Sequence, residues 1–130
     1  MTWQGAALIL AGVIGSCVAV LHGVLVQRLM VRPIEAFFAG DARIKAPIRR
    51  LVPLLLHFST IAWFLGGLAL IAAASWFERD ARLATGLFVG SLYAFGALGN
   101  VWATRGRHPG WMLMAAALIL IVFGVTDARS

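Results

Sequence analysis

The stretch from Leu51 to Phe77 reads LVPLLLHFSTIAWFLGGLALIAAASWF and contains no Asp, Glu, Lys or Arg. Three further stretches of this kind cover residues 1–27, 83–104 and 108–126, and the shortest has 19 residues. A helix needs about 20 apolar residues to cross about 30 Å of hydrocarbon. The sequence therefore predicts an all-α integral membrane protein, a single domain over 1–130 with four transmembrane helices at about 3–27, 51–76, 83–104 and 109–126.

The composition supports the same class of protein. Hydrophobic residues make up 62% of the chain and charged residues 12%, whereas a soluble domain carries about 25% charged residues. The net charge of +6 would suggest nucleic acid in a soluble protein. Here ten of the 11 basic residues lie between the apolar stretches, where they orient helices and meet lipid headgroups. We therefore expect the lipid bilayer, and no nucleic acid, as a partner.

The basic residues predict the orientation of the helices. Six lie in the connection 28–50 and two, Arg105 and Arg107, in the connection between helices 3 and 4, whereas the other side has Arg79, Arg82 and Arg129. Because the more basic side stays in the cytoplasm, both termini are expected outside it. In a bacterial inner membrane, the location we expect, the termini would be periplasmic.

The connection 28–50 is the only long one. Pro33 and Pro47 disfavour one continuous helix through it, and between them Ile34, Phe37 and Phe38 would share one helix face. This pattern predicts a short amphipathic helix at the cytoplasmic interface that stops at residues 40–41. A mobile loop is the alternative.

Small residues recur at helical spacing in two of the predicted spans. Such stripes allow helix backbones to approach closely in lipid, where the hydrophobic effect does not drive association. Tight packing within the bundle and association with a second copy or another membrane protein explain them equally well. The stripes consist of Ala7, Ala11, Gly15, Ala19 and Gly23 in helix 1, and of Gly86, Gly90, Tyr93, Ala97, Asn100 and Thr104 in helix 3.

Polar side chains of three helices fall at one depth. His22, His57 and Asn100 lie five to seven residues inward from the nearest basic residue, or roughly 8 to 11 Å below the cytoplasmic surface. Met112 and Met114 reach the same level from helix 4, and His108 lies at the interface above it. The sequence therefore predicts a polar layer near the cytoplasmic face.

Several uses of this layer remain open. His22 and His57 would suit haem b or, with Met112 or Met114, copper. The layer would also suit a quinone headgroup near Tyr93 or Trp102. Alternatively, the histidines hold helices together, for example through a bond from His57 to Asn100.

The corner between helices 3 and 4 carries Arg105, Arg107 and His108 before Pro109. These basic side chains would suit an anionic lipid headgroup. The alternative is that the corner only anchors the orientation of the two helices.

The run from His57 to Leu68, HFSTIAWFLGGL, resembles the helix with histidine, tryptophan and two glycines in relatives of copper resistance protein D and in small haem-binding membrane oxidases of the haem pathway. The resemblance covers about a dozen residues and implies haem or copper. The spans themselves contain no carboxylate to orient a histidine base. We therefore expect a non-catalytic accessory, scaffold or lipid-contacting component, with haem or copper binding as the alternative and a small-solute channel or transporter as the lesser one.

Overall fold

The computed structural model describes residues 2–126, and every regular element in that part of the chain is helical. The prediction of an all-α fold is confirmed. Each helix begins or ends within a few residues of its predicted boundary, apart from those next to the connection 28–50. The helices are α1 (Trp3–Val26), α2 (Arg32–Gly40), α3 (Ala46–Trp76), α4 (Arg79–Thr104) and α5 (Gly110–Val125).

The connection 28–50 is mostly helical. A π-helical turn, Gln27–Val31, joins α1 directly to α2, so one helical segment of 38 residues runs from Trp3 to Gly40. Pro33 follows the π-helical turn within this segment, but the connection does not form one continuous helix, because α2 ends at Gly40, as predicted, and α3 begins only at Ala46. This start of α3 lies five residues before the predicted one, with Pro47 in its first turn.

Three helical segments are long and apolar enough to cross a membrane: Trp3–Gly40, Ala46–Trp76 and Arg79–Thr104. Helix α5 is apolar as well but has only 16 residues. By length and composition, the described chain therefore has the helices of an integral membrane protein.

Helices α1, α3, α4 and α5 form a closed ring in that order, and each is antiparallel to its neighbours. Helix α1 packs mainly on α3 and α5, and α4 packs on α5 and α3. We call the end with the connections 27–50 and 105–109 the basic end, and the end with Thr2 and Phe77 the opposite end. This arrangement makes α1 and α4 parallel and diagonal to one another.

Glycines bring α1 and α3 together. A Cβ atom at Gly12 would lie 2.5 Å from the carbonyl oxygen of Gly67, so the two backbones are nearly in contact. Nearer the basic end, a Cβ at Gly23 would lie 2.8 Å from Cγ2 of Thr60. These contacts define the α1–α3 seam.

Glycine also makes room for the central side chain of the bundle. Tyr93 of α4 is completely buried, and its ring occupies the space beside Gly15 of α1. Two turns earlier in α1, Leu8 packs against Gly124 of α5, where a Cβ would lie 2.5 Å from Cγ of Leu8. The small-residue stripe of α1 thus faces the interior of the bundle.

Short connections fix both ends of the ring. Between α2 and α3, Asp41 accepts a hydrogen bond of 2.9 Å from the backbone N–H of Arg43, and that bond and the Arg43 guanidinium hold the pKa of Asp41 below its ordinary value. Between α3 and α4, the guanidinium of Arg82 donates to the carbonyl oxygens of Ala73, Ala74 and Phe77 at the end of α3. The turns therefore hold neighbouring helices antiparallel.

Candidate functional site

His22 and His57 lie in the α1–α3 seam, and each bonds across it. Nε2 of His22 is 3.2 Å from the hydroxyl oxygen of Ser59, and Nε2 of His57 is 2.9 Å from the side-chain oxygen of Gln27. The second of these is a short hydrogen bond between neutral groups. Each imidazole therefore has its own partner on the opposite helix.

The proposed bond from His57 to Asn100 is absent from the described residues. His57 is on the side of α3 that faces α1, where Gln27, at the start of the π-helical turn, provides the acceptor. Asn100 belongs to α4, and its side-chain oxygen is buried without a hydrogen-bond partner in the described part of the chain. Equal depth in the bundle did not bring these two side chains together, because their helices present them to different neighbours.

Tyr93 links three helices at the centre of the bundle. Its hydroxyl donates a hydrogen bond of 3.2 Å to the carbonyl oxygen of Trp63 in α3, while its ring lies against Gly15 of α1. Tyr93 thus uses its hydroxyl within the protein. The structure places it below the polar layer, among the packed residues of the core.

A cavity of about 310 Å³ lies at the basic end between α1, α4 and α5, with one wall formed by α3. Its lining is mainly apolar. Leu21, Leu25 and Leu113 are partly exposed, so the cavity opens between α1 and α5 toward the outside of the bundle. Its polar lining residues are His22, Asn100 and His108, and its aromatic wall is Trp63.

Trp63 and His22 form one side of this cavity. Their ring centroids are 4.6 Å apart with an angle of 49° between the planes. The far edge of the indole lies over Gly96, where any side chain would collide with it. The glycine of α4 therefore determines where the tryptophan ring lies.

His108 and Asn100 form the polar end of the cavity. Nδ1 of His108 accepts a hydrogen bond of 3.1 Å from the backbone N–H of Gly110, so in this tautomer the proton is on Nε2. A point at the Cβ position of Gly110 would be 2.9 Å from Nδ1 of His108 and 3.7 Å from Nδ2 of Asn100, which shows that the two side chains are close. Two side chains that can each donate a hydrogen bond thus lie close together.

The remaining predicted site residues are dispersed. Met114 is buried and lines the cavity with His22, whereas Met112 is 57% exposed and His57 is bonded in the seam. Within residues 2–126, no three His, Cys, Asp or Glu side chains are grouped as a metal site would need. Of the four residues predicted for copper, His22 and Met114 line this cavity, and His57 and Met112 do not line it.

The corner between α4 and α5 has a defined backbone. Arg105 and Gly106 adopt left-handed conformations with φ of 51° and 73°, and the indole N–H of Trp111 donates to the carbonyl oxygen of Gly106 at 3.2 Å. The side chains of Arg105 and Arg107 are exposed. His108 is exposed as well and in addition lines the cavity.

Two partners of the site were missed by sequence reasoning. Ser59 bonds His22, and Gln27 bonds His57. The sequence offers a weak signal for both, since Ser59 lies two residues from His57 and Gln27 lies five residues from His22. The contact of His108 with the cavity had no such signal, because it depends on the path of the corner.

The chain matches no protein-family model, and comparisons with curated proteins and with solved structures find no match either.

Proposed function

We propose that this chain is an integral membrane protein in which α1, α3, α4 and α5 all cross the bilayer. The observation that carries the proposal is the distribution of apolar residues. Large side chains such as Phe58, Phe95 and Leu98, 70%, 80% and 71% exposed, cover the outside, while glycine and alanine fill the helix contacts. In lipid this surface is solvated, whereas in water it would drive aggregation.

Helix α5 is the shortest of the four proposed spans. Its 16 residues cover about 24 Å, somewhat less than the hydrocarbon core. However, α5 packs on both α1 and α4, from Met114 at the basic end to Gly124 at the opposite end. Local thinning of the bilayer accommodates a short span at modest cost. A position on the membrane surface would break these contacts.

The basic end is proposed to face the cytoplasm of a bacterium, with the opposite end in the periplasm. Exposed tryptophans support the two boundaries: Trp3 and Trp76 at the opposite end and Trp102 at the basic end. Phe37 of α2, 66% exposed, would rest on the cytoplasmic surface of the membrane. Arg129 and the C-terminus lie outside the described residues.

Within that membrane we propose a non-catalytic accessory role, through contact with a partner protein, a second copy or lipid. The intramembrane polar groups support it, since His22, His57 and Tyr93 are used to join helices. Haem b or copper binding is a second candidate, favoured by His22 and Met114 on one cavity. His57, whose Nε2 bonds Gln27, would ligate through Nδ1.

Cysteine labelling tests the topology. In a Cys17→Ala background, single variants Thr2→Cys, Ala42→Cys, Arg107→Cys and Thr126→Cys are exposed to a membrane-impermeant thiol reagent in intact spheroplasts and in inverted vesicles. Four spans predict that the Thr2 and Thr126 variants label in spheroplasts and the other two in inverted vesicles. If the Thr126 variant labels with the Arg107 variant, α5 does not cross and the proposal is wrong.

Purification in mild detergent tests the role. We expect a stoichiometric protein partner or a homo-oligomer in native mass spectrometry, and a lone monomer in native membranes would contradict the accessory role.

An absorption spectrum and metal analysis of the same sample test the second candidate, haem b or copper binding. A Soret band or bound copper that disappears in a His22→Ala, His57→Ala variant would favour that candidate over the first.

A further inference from the structure

The cavity at the basic end is an apolar space that reaches the outside of the bundle. Of the 13 described residues around it, none is Asp, Glu, Lys or Arg. It opens between α1 and α5 beside Leu21, Leu25 and Leu113, which are partly exposed. An apolar chain can enter this space from the hydrocarbon of a bilayer, whereas an ionised group would lose its hydration there without gaining a counter-charge.

Two hydrogen-bond donors lie at the polar end of the cavity. Asn100 and His108 both line it, and the amide nitrogen of Asn100 lies close to the imidazole ring of His108. Because Nδ1 of His108 accepts from the backbone N–H of Gly110, the proton of the ring is on Nε2, and the ring can donate as well. Two neighbouring donors fit a neutral oxygen that only accepts, such as the carbonyl oxygen of an ester.

Two positive charges lie next to this polar end. Arg105 and Arg107 are exposed in the corner between α4 and α5, and Arg107 directly precedes His108. Neither guanidinium forms an ion pair or a hydrogen bond within the described residues, and the corner itself contains no acidic residue. Helix α5 begins at Gly110, so the positive end of its dipole adds to the same field. The corner therefore attracts an anion.

We propose that the basic end binds one anionic phospholipid, with an acyl chain in the cavity and the phosphate at the corner. The chain would enter past Leu113, its ester carbonyl would accept from Asn100 and His108, and the phosphate would meet Arg105 and Arg107. The apolar, neutral polar and basic parts of the site follow one another as the chain, the ester and the phosphate do in the lipid.

The size of the cavity agrees with this occupant. Its volume of about 310 Å³ is at the lower end of the range for small-molecule sites, which suits one slender chain. The proposal rests on the membrane location proposed above, and it gives the lipid contact of the accessory role a defined place and a lipid class.

Thermal stabilisation in a mild detergent tests the proposal, with probes that each remove one part of the lipid. The complete probe is dioleoyl phosphatidylglycerol, and we expect it to raise the melting temperature saturably. Phosphatidylcholine with the same chains should bind about tenfold more weakly, because its cation offsets the attraction of the phosphate to the arginines. Ether-linked phosphatidylglycerol, which lacks the carbonyl, should bind about fivefold more weakly. Glycerol phosphate, a headgroup without chains, should give no saturable shift.

A pair of double variants tests the corner. Arg105→Gln with Arg107→Gln removes both of its charges, and this variant should bind phosphatidylglycerol no more tightly than phosphatidylcholine. The control, Arg32→Gln with Arg50→Gln, makes the same change of charge at two exposed positions of the other connection at the basic end. The control should keep the preference for phosphatidylglycerol.

A pair of single variants tests the cavity. Leu113→Phe narrows the opening, and its control Ile119→Phe adds the same ring to an exposed position of α5 outside the cavity. The response to phosphatidylglycerol should be lost in the first variant and kept in the second. All the replaced residues are exposed, so the melting temperature without lipid should change little.

The proposal is wrong if phosphatidylglycerol gives no saturable shift, or if phosphatidylcholine, the ether lipid or glycerol phosphate stabilises as strongly. It is also wrong if the two double variants respond alike, or if Leu113→Phe binds the lipid like the original chain. Cysteine labelling reports separately on topology and native mass spectrometry on protein partners. A failure of lipid binding is therefore distinguishable from a failure of the proposed function.

Discussion

Helix α1 has two very different sides. Toward α3 it makes a closed seam, with backbones nearly in contact at Gly12 and Gly67 and hydrogen bonds from His22 and His57 to their own partners. Toward α4 and α5 it leaves a cavity of about 310 Å³ beside an unpaired Asn100. Polar residues at one depth can thus serve as helix contacts on one side and remain available to a ligand on the other.

The largest effect on stability is expected from adding a side chain where α1 and α3 are in contact. Gly12→Ala places a Cβ 2.5 Å from the carbonyl oxygen of Gly67, which belongs to backbone and cannot rotate away. We expect a loss of about 2 kcal/mol in the free energy of unfolding, measured by titration with SDS in mixed micelles. Gly99→Ala is the control, since a Cβ there meets nothing within 4 Å. Equal stability of the two variants would contradict a tight seam.

Removing the hydroxyl of Tyr93 should have a smaller effect. Tyr93→Phe keeps the ring beside Gly15 but loses the bond to the carbonyl oxygen of Trp63, so we expect about 1 kcal/mol of destabilisation in the same titration. In Ser91→Ala the lost hydroxyl bonds only to Leu87 of its own helix, and no change should be measurable. An unchanged Tyr93→Phe would show that the hydroxyl does not stabilise the bundle.

The hydrogen bond between Gln27 and His57 is expected to contribute still less to the free energy of unfolding. A double-mutant cycle with Gln27→Ala and His57→Ala should give a coupling of about 0.6 kcal/mol, the average for such bonds in a membrane protein. A cycle between Gln27 and His22, which bonds Ser59 instead, should give a coupling near zero. Additive effects in the first cycle would mean that the seam is held by packing alone.

Replacing Asn100 should not lower the stability of the protein, whereas replacing a residue of the seam should. Without ligand, Asn100→Leu replaces an unpaired buried amide by an apolar group of similar size, so stability should stay within about 0.5 kcal/mol or rise. His57→Leu, which leaves Gln27 without its partner, should lower stability in the same assay. A clear loss in Asn100→Leu would indicate that Asn100 stabilises the helices and is not kept for a ligand.

The seam was easier to foresee from the sequence than the cavity. The stripe from Ala7 to Gly23 indicated a close helix contact, because a four-residue spacing places small residues on one face of any helix. The neighbour of each face could not be inferred, since α3, α4 and α5 all supply small or polar residues. The extension of α1 into α2 was also missed, because a π-helical turn is not visible in the periodicity of the sequence.

The sequence by itself predicted the all-helical class of the protein and a common depth for the polar side chains. Both follow from counting residues along apolar stretches, because the rise of a helix is constant. Only the tertiary structure decided which way each side chain faces. Each residue turns a helix by about 100°, so the partner of His22, His57 or Asn100 depends on how neighbouring helices rotate to pack, and that is fixed by contacts such as Gly12 with Gly67 and Trp63 with Gly96.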